Sequence, residues 1–249
     1  MTELADFLPT LVGVGLLMGL TVIVLAVARA PHRFAPAFAI LRGIVQLAAI
    51  SLVLSTVITS AGWVAVALLV MFTVASVTAA RRLTWSWAHW GYVSGAMGAG
   101  IAATLAVVFA SGAVDLSPRY VLAIGGIVIG NAMTIATLAG RRFTGSVHDR
   151  WEEVEGWLAL GGTPRQSTIT LARTSVYSAL IPVTDQTKTT GLVTLPGAFV
   201  GAIFGGLSPV AAGAFQITVL ASVMAAGSIT AVLLIRALAP VRVRPDPLV

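Results

Sequence analysis

Long apolar runs separated by short, arginine-containing polar stretches set the pattern of this chain. A helix of about 20 residues crosses a hydrocarbon layer ~30 Å thick. Read with that window, the runs predict seven spans, near residues 7–28, 40–60, 62–80, 91–112, 119–139, 175–204 and 211–235. The runs are long and uniformly apolar, unlike the short alternating segments of a membrane β-barrel. The expected fold class is therefore an all-α polytopic membrane protein, a single transmembrane domain over residues 1–249.

Composition supports the pattern. Hydrophobic residues make up 57% of the 249 positions and charged residues 10%, where a soluble domain carries about a quarter charged. The chain contains no cysteine, which excludes disulfides and thiolate metal sites. Its first ten residues, MTELADFLPT, are acidic ahead of the apolar run, the wrong polarity for a cleaved signal peptide.

The net charge of +6 reads as topology rather than nucleic-acid affinity. Of the 15 basic residues, Arg119 falls on one side of the predicted bundle, near Glu3, Asp6 and Asp115, and Lys188 falls inside a span. The other 13, among them Arg29, Arg81, Arg82, Arg141, Arg142 and Arg236, fall on the opposite side. Cytoplasmic loops carry the excess of Lys and Arg, so the N-terminus is expected outside and the C-terminus inside. An odd number of spans requires the same. Trp63, Trp85, Trp87 and Trp90 sit at span ends, as an interfacial aromatic belt predicts, with His89 among them. The expected location is the inner or plasma membrane, multi-pass, with membrane lipids around the chain and no nucleic-acid partner.

One sizeable polar stretch remains, residues 140–174, GRRFTGSVHDRWEEVEGWLALGGTPRQSTITLART. Asp149 is placed to cap a helix whose first turn holds Glu152 and Glu153, favourable against the helix dipole. Trp151, Val154, Trp157 and Leu158 recur at helical spacing and make it amphipathic. Gly161 and Gly162 end it, and Thr163-Pro164 caps and starts a second helix. Such an element is too small to be a catalytic domain. It fits either an interfacial helix lying in lipid headgroups or a coupling helix, over residues 149–167, that docks into an ATPase subunit.

The stretch Tyr177–Pro209 is apolar yet holds Asp185 and Lys188. An ionisable side chain in hydrocarbon costs about 2.5–3.5 kcal/mol on insertion scales, so it needs a partner or a wet cavity. Three residues apart on a helix, the two can neutralise each other. Pro182 and Pro196 flank them, and each removes a backbone donor, so a kinked or broken helix is expected there. Glycines four apart let helices approach closely; they recur at Gly15/Gly19, Gly91/Gly95 and Gly126/Gly130, and most densely at Gly197/Gly201/Gly205. Gln46, Asn131 and Gln216 are polar residues within spans, suited to interhelical hydrogen bonds or to the path of a substrate. Hard cations prefer several oxygen ligands and Fe(II) prefers histidine with carboxylate; no such set stands out, and the metal-ligating residues are unknown.

The runs VEGWLALGGTPRQS (154–167) and ALIPVTDQTKTTGLVTLPGAFVGAIFGGLSP (179–209), with RGIVQL at 42–47 and GNAM at 130–133, resemble the FetB-type permeases. These are ABC transporter subunits associated with iron export and related to plant aluminium-tolerance permeases. The spacing of Glu155 to Gly161 is also similar to the EAA-type loop of ABC permeases, though the distance onward to Ile181-Pro182 departs from it, and against the FetB-type pattern Gly162 stands where alanine is usual. The resemblance implies a homodimeric permease that exports a metal ion such as iron, driven by a separate ABC ATP-binding subunit. The chain has no G-x4-G-K-[ST] phosphate loop, so it is expected to be no enzyme and to bind no cofactor; ATP and Mg would reside in the partner. Carried onto this chain, ATPase coupling falls to Trp151, Glu155, Trp157, Leu160, Gly161, Thr163 and Pro164. Translocation and gating fall to Asp185, Lys188, Pro182, Pro196, Gly197 and Gly201, with Asn131, Gln46 and Gln216. The competing expectation is a self-contained ion channel or secondary transporter that uses the Asp185/Lys188 pair.

Overall fold

The computed structural model describes residues 2–57 and 60–246, with side chains at 8–51 and 60–246. Among the described residues it is helical throughout, apart from an isolated bridge between Thr190 and Thr194. The chain divides into two compact units, Met1–Val57 and Ile58–Val249. The first is a helical hairpin of α1 (Thr2–Val27) and α2 (Ala35–Val57). Its turn holds Arg29 and His32 in the left-handed region, at φ 50° and 55°, and sets the Arg33 guanidinium over the Phe34 ring. Glu3 and Asp6, used above to orient the chain, lie outside the described side chains, as do residues 58 and 59 of the expected second span.

The second unit contains α3 (Ala61–Arg82), α4 (Trp87–Ala110), α5 (Pro118–Asp149), α6 (Trp151–Ala159), α7 (Pro164–Ser167), α8 (Ile169–Thr189), α9 (Gly197–Phe204) and α10 (Pro209–Leu238). Local chemistry starts several of them. Ser117, Thr163 and Ser208 each accept a backbone N–H in the first turn of α5, α7 and α10, and each is followed by proline at the first helical position. α10 packs against α4, α5 and α8, and α5 also against α3. One core cluster joins α3, α4, α5 and α10 through Val93, Met97, Ile124, Val128 and Ala226. A second joins α5, α6, α8 and α10 through Phe143, Val147, Val154, Leu171 and Ile235.

Among the described residues, five helices are long and apolar enough to cross a membrane: Leu8–Val27, Ala61–Arg82, Trp87–Ala110, Pro118–Asp149 and Pro209–Leu238. The two other expected spans take different forms. In α2 the described apolar stretch is the shorter Ala35–Ser51. The expected span over 175–204 is two helices, because α8 ends at Thr189 and α9 begins only at Gly197. α8 carries seven serine and threonine residues after Thr168, together with Asp185 and Lys188, which lowers its hydropathy. α5 runs past the predicted end at residue 139, because Phe143 and Val147 extend its buried stripe beyond Arg141 and Arg142.

The glycine at which two helix backbones meet is not one of the regularly spaced ones. A Cβ on Gly100 would stand 2.6 Å from the Ala226 carbonyl oxygen and 2.7 Å from Thr230 Oγ1, so α4 and α10 touch backbone to backbone there. Around Gly15, Gly19, Gly91 and Gly95 there is open space. Beside this contact Thr104 Oγ1 is buried without a hydrogen-bond partner. A buried polar group left unpaired costs about 1–3 kcal/mol. Thr104→Val, which keeps the shape and removes the hydroxyl, is expected to leave the thermal midpoint unchanged or raise it. A clear fall in the unfolding scan would mean that the hydroxyl has a partner.

Candidate functional site

Two groups of residues stand about 24 Å apart along α8, one at the arginine-rich end of the helices and one where α8 breaks.

The first is the corner between α5 and α8. Val154 of α6 and Thr168 at the head of α8 are fully buried, so the corner is seated on the bundle. α6 ends in a tight turn: the Gly161 and Gly162 N–H groups donate to the Leu158 and Trp157 carbonyls, and Gly161 adopts φ +85°. Only glycine takes that conformation without strain. Gly162 leaves no room for a Cβ, which would lie 2.8 Å from the Trp157 carbonyl oxygen. Thr163 and Gln166 then form a reciprocal capping box at the start of α7. The turn pushes Leu160 and Trp157 outward, at 86% and 52% exposure, beside the exposed Glu155. Glu153, Trp157, Leu160, Gly161, Gly162 and Gln166 line a groove of about 430 Å³.

Two expectations for this corner change. Asp149 does not cap α6: it is the last residue of α5, and Arg150 takes the cap position without a side-chain cap bond, its guanidinium instead pairing with Glu153. The unbroken run of α5 through Val147 leaves only one residue for the bend. Trp151 packs half-buried against the α5–α8 core rather than joining the exposed surface. Pro164 serves as the first residue of α7, as expected.

Sequence reasoning missed what braces the corner. The chain after α10 folds back along it: Thr168 Oγ1 donates to the Ala239 carbonyl at 2.8 Å, and His148 Nδ1 donates to the Pro245 carbonyl at 2.9 Å. Arg244 donates to the His148 carbonyl at 3.2 Å, placing a cation at the C-terminal end of α5, where the helix dipole favours one. These partners lie 71 to 97 residues apart in the chain, and no spacing signals them.

The second group lies at the break. Lys188 Nζ donates to Asp185 Oδ1 at 3.1 Å, so the intrahelical pair forms as expected. It is not buried by its own unit: the Lys188 and Asp185 side chains are 70% and 60% exposed. α8 passes through Pro182 without ending. The break comes later, where the Leu192, Val193 and Thr194 N–H groups all turn back to the Thr189 carbonyl and Gly191 adopts φ +87°. Pro196 caps α9. Gly197 and Gly201 face open space. Thr184, Thr187, Thr189 and Thr190 each donate their hydroxyl hydrogen to a backbone carbonyl of α8. Their oxygens therefore offer only lone pairs outward, next to the Asp185 carboxylate.

The remaining polar candidates do not join either group. Asn131 Nδ2 is used by the Ile127 carbonyl of its own helix. Gln216 is buried on α10 with its Oε1 unpaired. Gln46 is exposed on α2, in the other unit. Among the described residues no three His, Asp or Glu side chains gather to hold a metal ion.

Residues 9–240 match the family described as Uncharacterised protein family (UPF0014). The chain is 37% identical over 198 residues to the UPF0014 membrane protein STAR2 of Oryza sativa subsp. japonica, covering 79% of this chain and 70% of that one. It is 33% identical over 198 residues to the protein ALUMINUM SENSITIVE 3 of Arabidopsis thaliana, covering 78% and 72%. Over 142 residues it is 37% identical to the "Probable iron export permease protein FetB" of Escherichia coli (strain K12), covering 57% and 54%. No solved structure matches it.

Proposed function

The chain belongs to the UPF0014 family, and from that premise we propose that it is a permease, the membrane subunit of an ABC exporter of metal ions, driven by a separate ATP-binding subunit. The observation that carries the proposal is the α6–α7 corner. It presents Trp157 and Leu160 to the surroundings on a seat fixed by Val154 and Thr168. Exposed aromatics on a rigid support are the usual anchors of a protein interface. In this reading nucleotide binding closes two ATPase subunits and pushes the corner. α5 and α8 leave the corner in opposite chain directions and transmit the push as rods. The break after Thr189 lets the far segment move separately, and the Asp185/Lys188 pair exchanges partners between the two states.

The iron export named for FetB motivates the metal-ion cargo. The acceptor-only threonine oxygens beside Asp185 agree with it, since lone pairs and a carboxylate favour a cation or a hydrogen-bond donor over an anion. Lys188 keeps the net charge of the site near zero, which favours passage over tight binding. The competing reading is a secondary transporter working through the same charge pair.

A pull-down from detergent-solubilised membranes decides between them, with wild type beside Glu155→Lys and Gly161→Trp. Wild type is expected to retain a nucleotide-hydrolysing subunit, and each variant to lose at least tenfold of it, the scale of a broken interface anchor. A chain that purifies alone and moves ions into liposomes under a gradient would establish the secondary carrier.

A further inference from the structure

We propose that the far half of α8, the break after it and α9 form the surface on which a second copy of this chain docks, with Asp185 of each copy opposite Lys188 of the other. The inference rests on the permease reading for its membrane setting and adds to it a specific interface.

Depth is the first observation. Thr168 touches Ala239 and Thr184 Oγ1 lies 4.0 Å from Met224 Sδ, so α8 runs antiparallel to α10, residue for residue. Met224 stands about 22 Å from the start of α10 and about 21 Å from its end, at 1.5 Å per residue. Asp185 is therefore level with the middle of α10, a 30-residue apolar helix. Most of its side chain is left exposed by that unit.

Lipid is excluded as the neighbour for two independent reasons. Charged side chains at this depth face a bundle interior or a water-filled cavity, not acyl chains. The non-helical backbone of residues 190–196 is also tolerated at membrane depth only where protein or a cavity covers it. Water alone does not fit either. Leu192 is 92% exposed and Phe204 86%, with Val193 and Leu195 beside them, and α9 buries no residue at all. Gly197 and Gly201 offer a flat strip with nothing within 4 Å. A surface that is apolar, glycine-lined and charged at one point asks for a protein with the same three features.

The chain supplies that protein itself. A two-fold interface is isologous: residue i meets j, and j meets i. One acid and one base, three residues apart on an exposed helix, are complementary to their own rotated image. Four charges then share one site, two of each sign, and the exchange of partners within and between copies needs no new group.

The absence of cysteine makes the test direct. Single-cysteine chains Leu192→Cys and Phe204→Cys, treated in membranes with a short bifunctional thiol reagent, are expected to give a crosslinked dimer. Leu69→Cys and Val107→Cys, exposed on α3 and α4, are expected to give none. In the Phe204→Cys background, Asp185→Lys alone and Lys188→Asp alone each place only like charges on the face, and each is expected to cut the dimer at least tenfold. Co-expressing the two restores it, because opposite charges then meet only between copies. The assignment is overturned if the dimer forms through Leu69 or Val107, if Leu192→Cys combined in one chain with a second cysteine on α1 crosslinks within that chain in place of the dimer, or if only the exchange within one chain restores the dimer. The wild-type pull-down reads the permease proposal separately, so failure of the interface leaves that result standing.

Discussion

Asp185→Asn is expected, on the exporter reading proposed above, to reduce ATP-dependent iron uptake into inverted vesicles by at least tenfold, and Lys188→Met to do the same. Each substitution leaves one charge without its neighbour on the exposed face of α8, at the mid-depth of α10. An unpaired charge there costs about 2.5–3.5 kcal/mol, or roughly a hundredfold in the population of any state that exposes it to hydrocarbon. Combining Asp185→Lys with Lys188→Asp keeps one charge of each sign on the same face of α8 and is expected to recover most of the lost rate. The measurement needs the chain with the proposed ATP-binding subunit, and a count of chain in the membrane, so that loss of transport is separated from loss of protein. Normal transport by both single variants would remove the pair from the gating step. A swap as inactive as the singles would show that a third group reads the sign of one member.

Gly100→Leu should be the most destabilising of the single substitutions considered. The Cβ would already stand 2.6 Å from the Ala226 carbonyl oxygen and 2.7 Å from Thr230 Oγ1. Thr230 is fully buried, and its hydroxyl reaches the Ala96 carbonyl at 3.5 Å. Relief requires α4 to move away from α10 along its length, since a backbone oxygen cannot rotate aside as a side chain can. Overpacking of a core costs about 1–3 kcal/mol when side chains can adjust, and here they cannot. The apparent unfolding midpoint in detergent is expected to fall by several degrees for Gly100→Ala, and the Leu variant to fail to accumulate. Gly91→Ala is the matched control: open space surrounds it, and alanine favours a helix by about 1 kcal/mol. An unchanged midpoint for Gly100→Ala would mean that the two helices are less tightly apposed than the backbone contact indicates.

The two predictions fall on residues of opposite legibility. Asp185 and Lys188 are conspicuous in an apolar run, and their mutual bond follows from helical spacing alone. Gly100 belongs to no four-residue glycine series, and the series that stand out in the chain mostly face open space. A glycine matters where another backbone arrives, and that depends on the register between helices separated by more than a hundred residues. The same distinction explains the corner. Thr163 as cap, Pro164 as first residue and the glycine turn at Gly161 are local conformational facts, readable from a few neighbours. The cap assigned to Asp149 failed because the end of α5 is set by Phe143 and Val147 reaching the core, not by its own side chain. The brace of Arg244 and Pro245 on His148 gave no signal for the same reason.

Apolar run length, arginine placement and turn chemistry determined a helical membrane chain, its polar corner and its charge pair, because each depends on residues close in sequence. Only the tertiary structure decided that the pair lies exposed at mid-depth, that the helix passes Pro182 and breaks after Thr189, and which glycines bring helices together. Those outcomes depend on how far one helix slides along another. That is fixed by contacts such as Thr168 with Ala239 and Thr184 with Met224, made between residues the sequence keeps 71 and 40 positions apart.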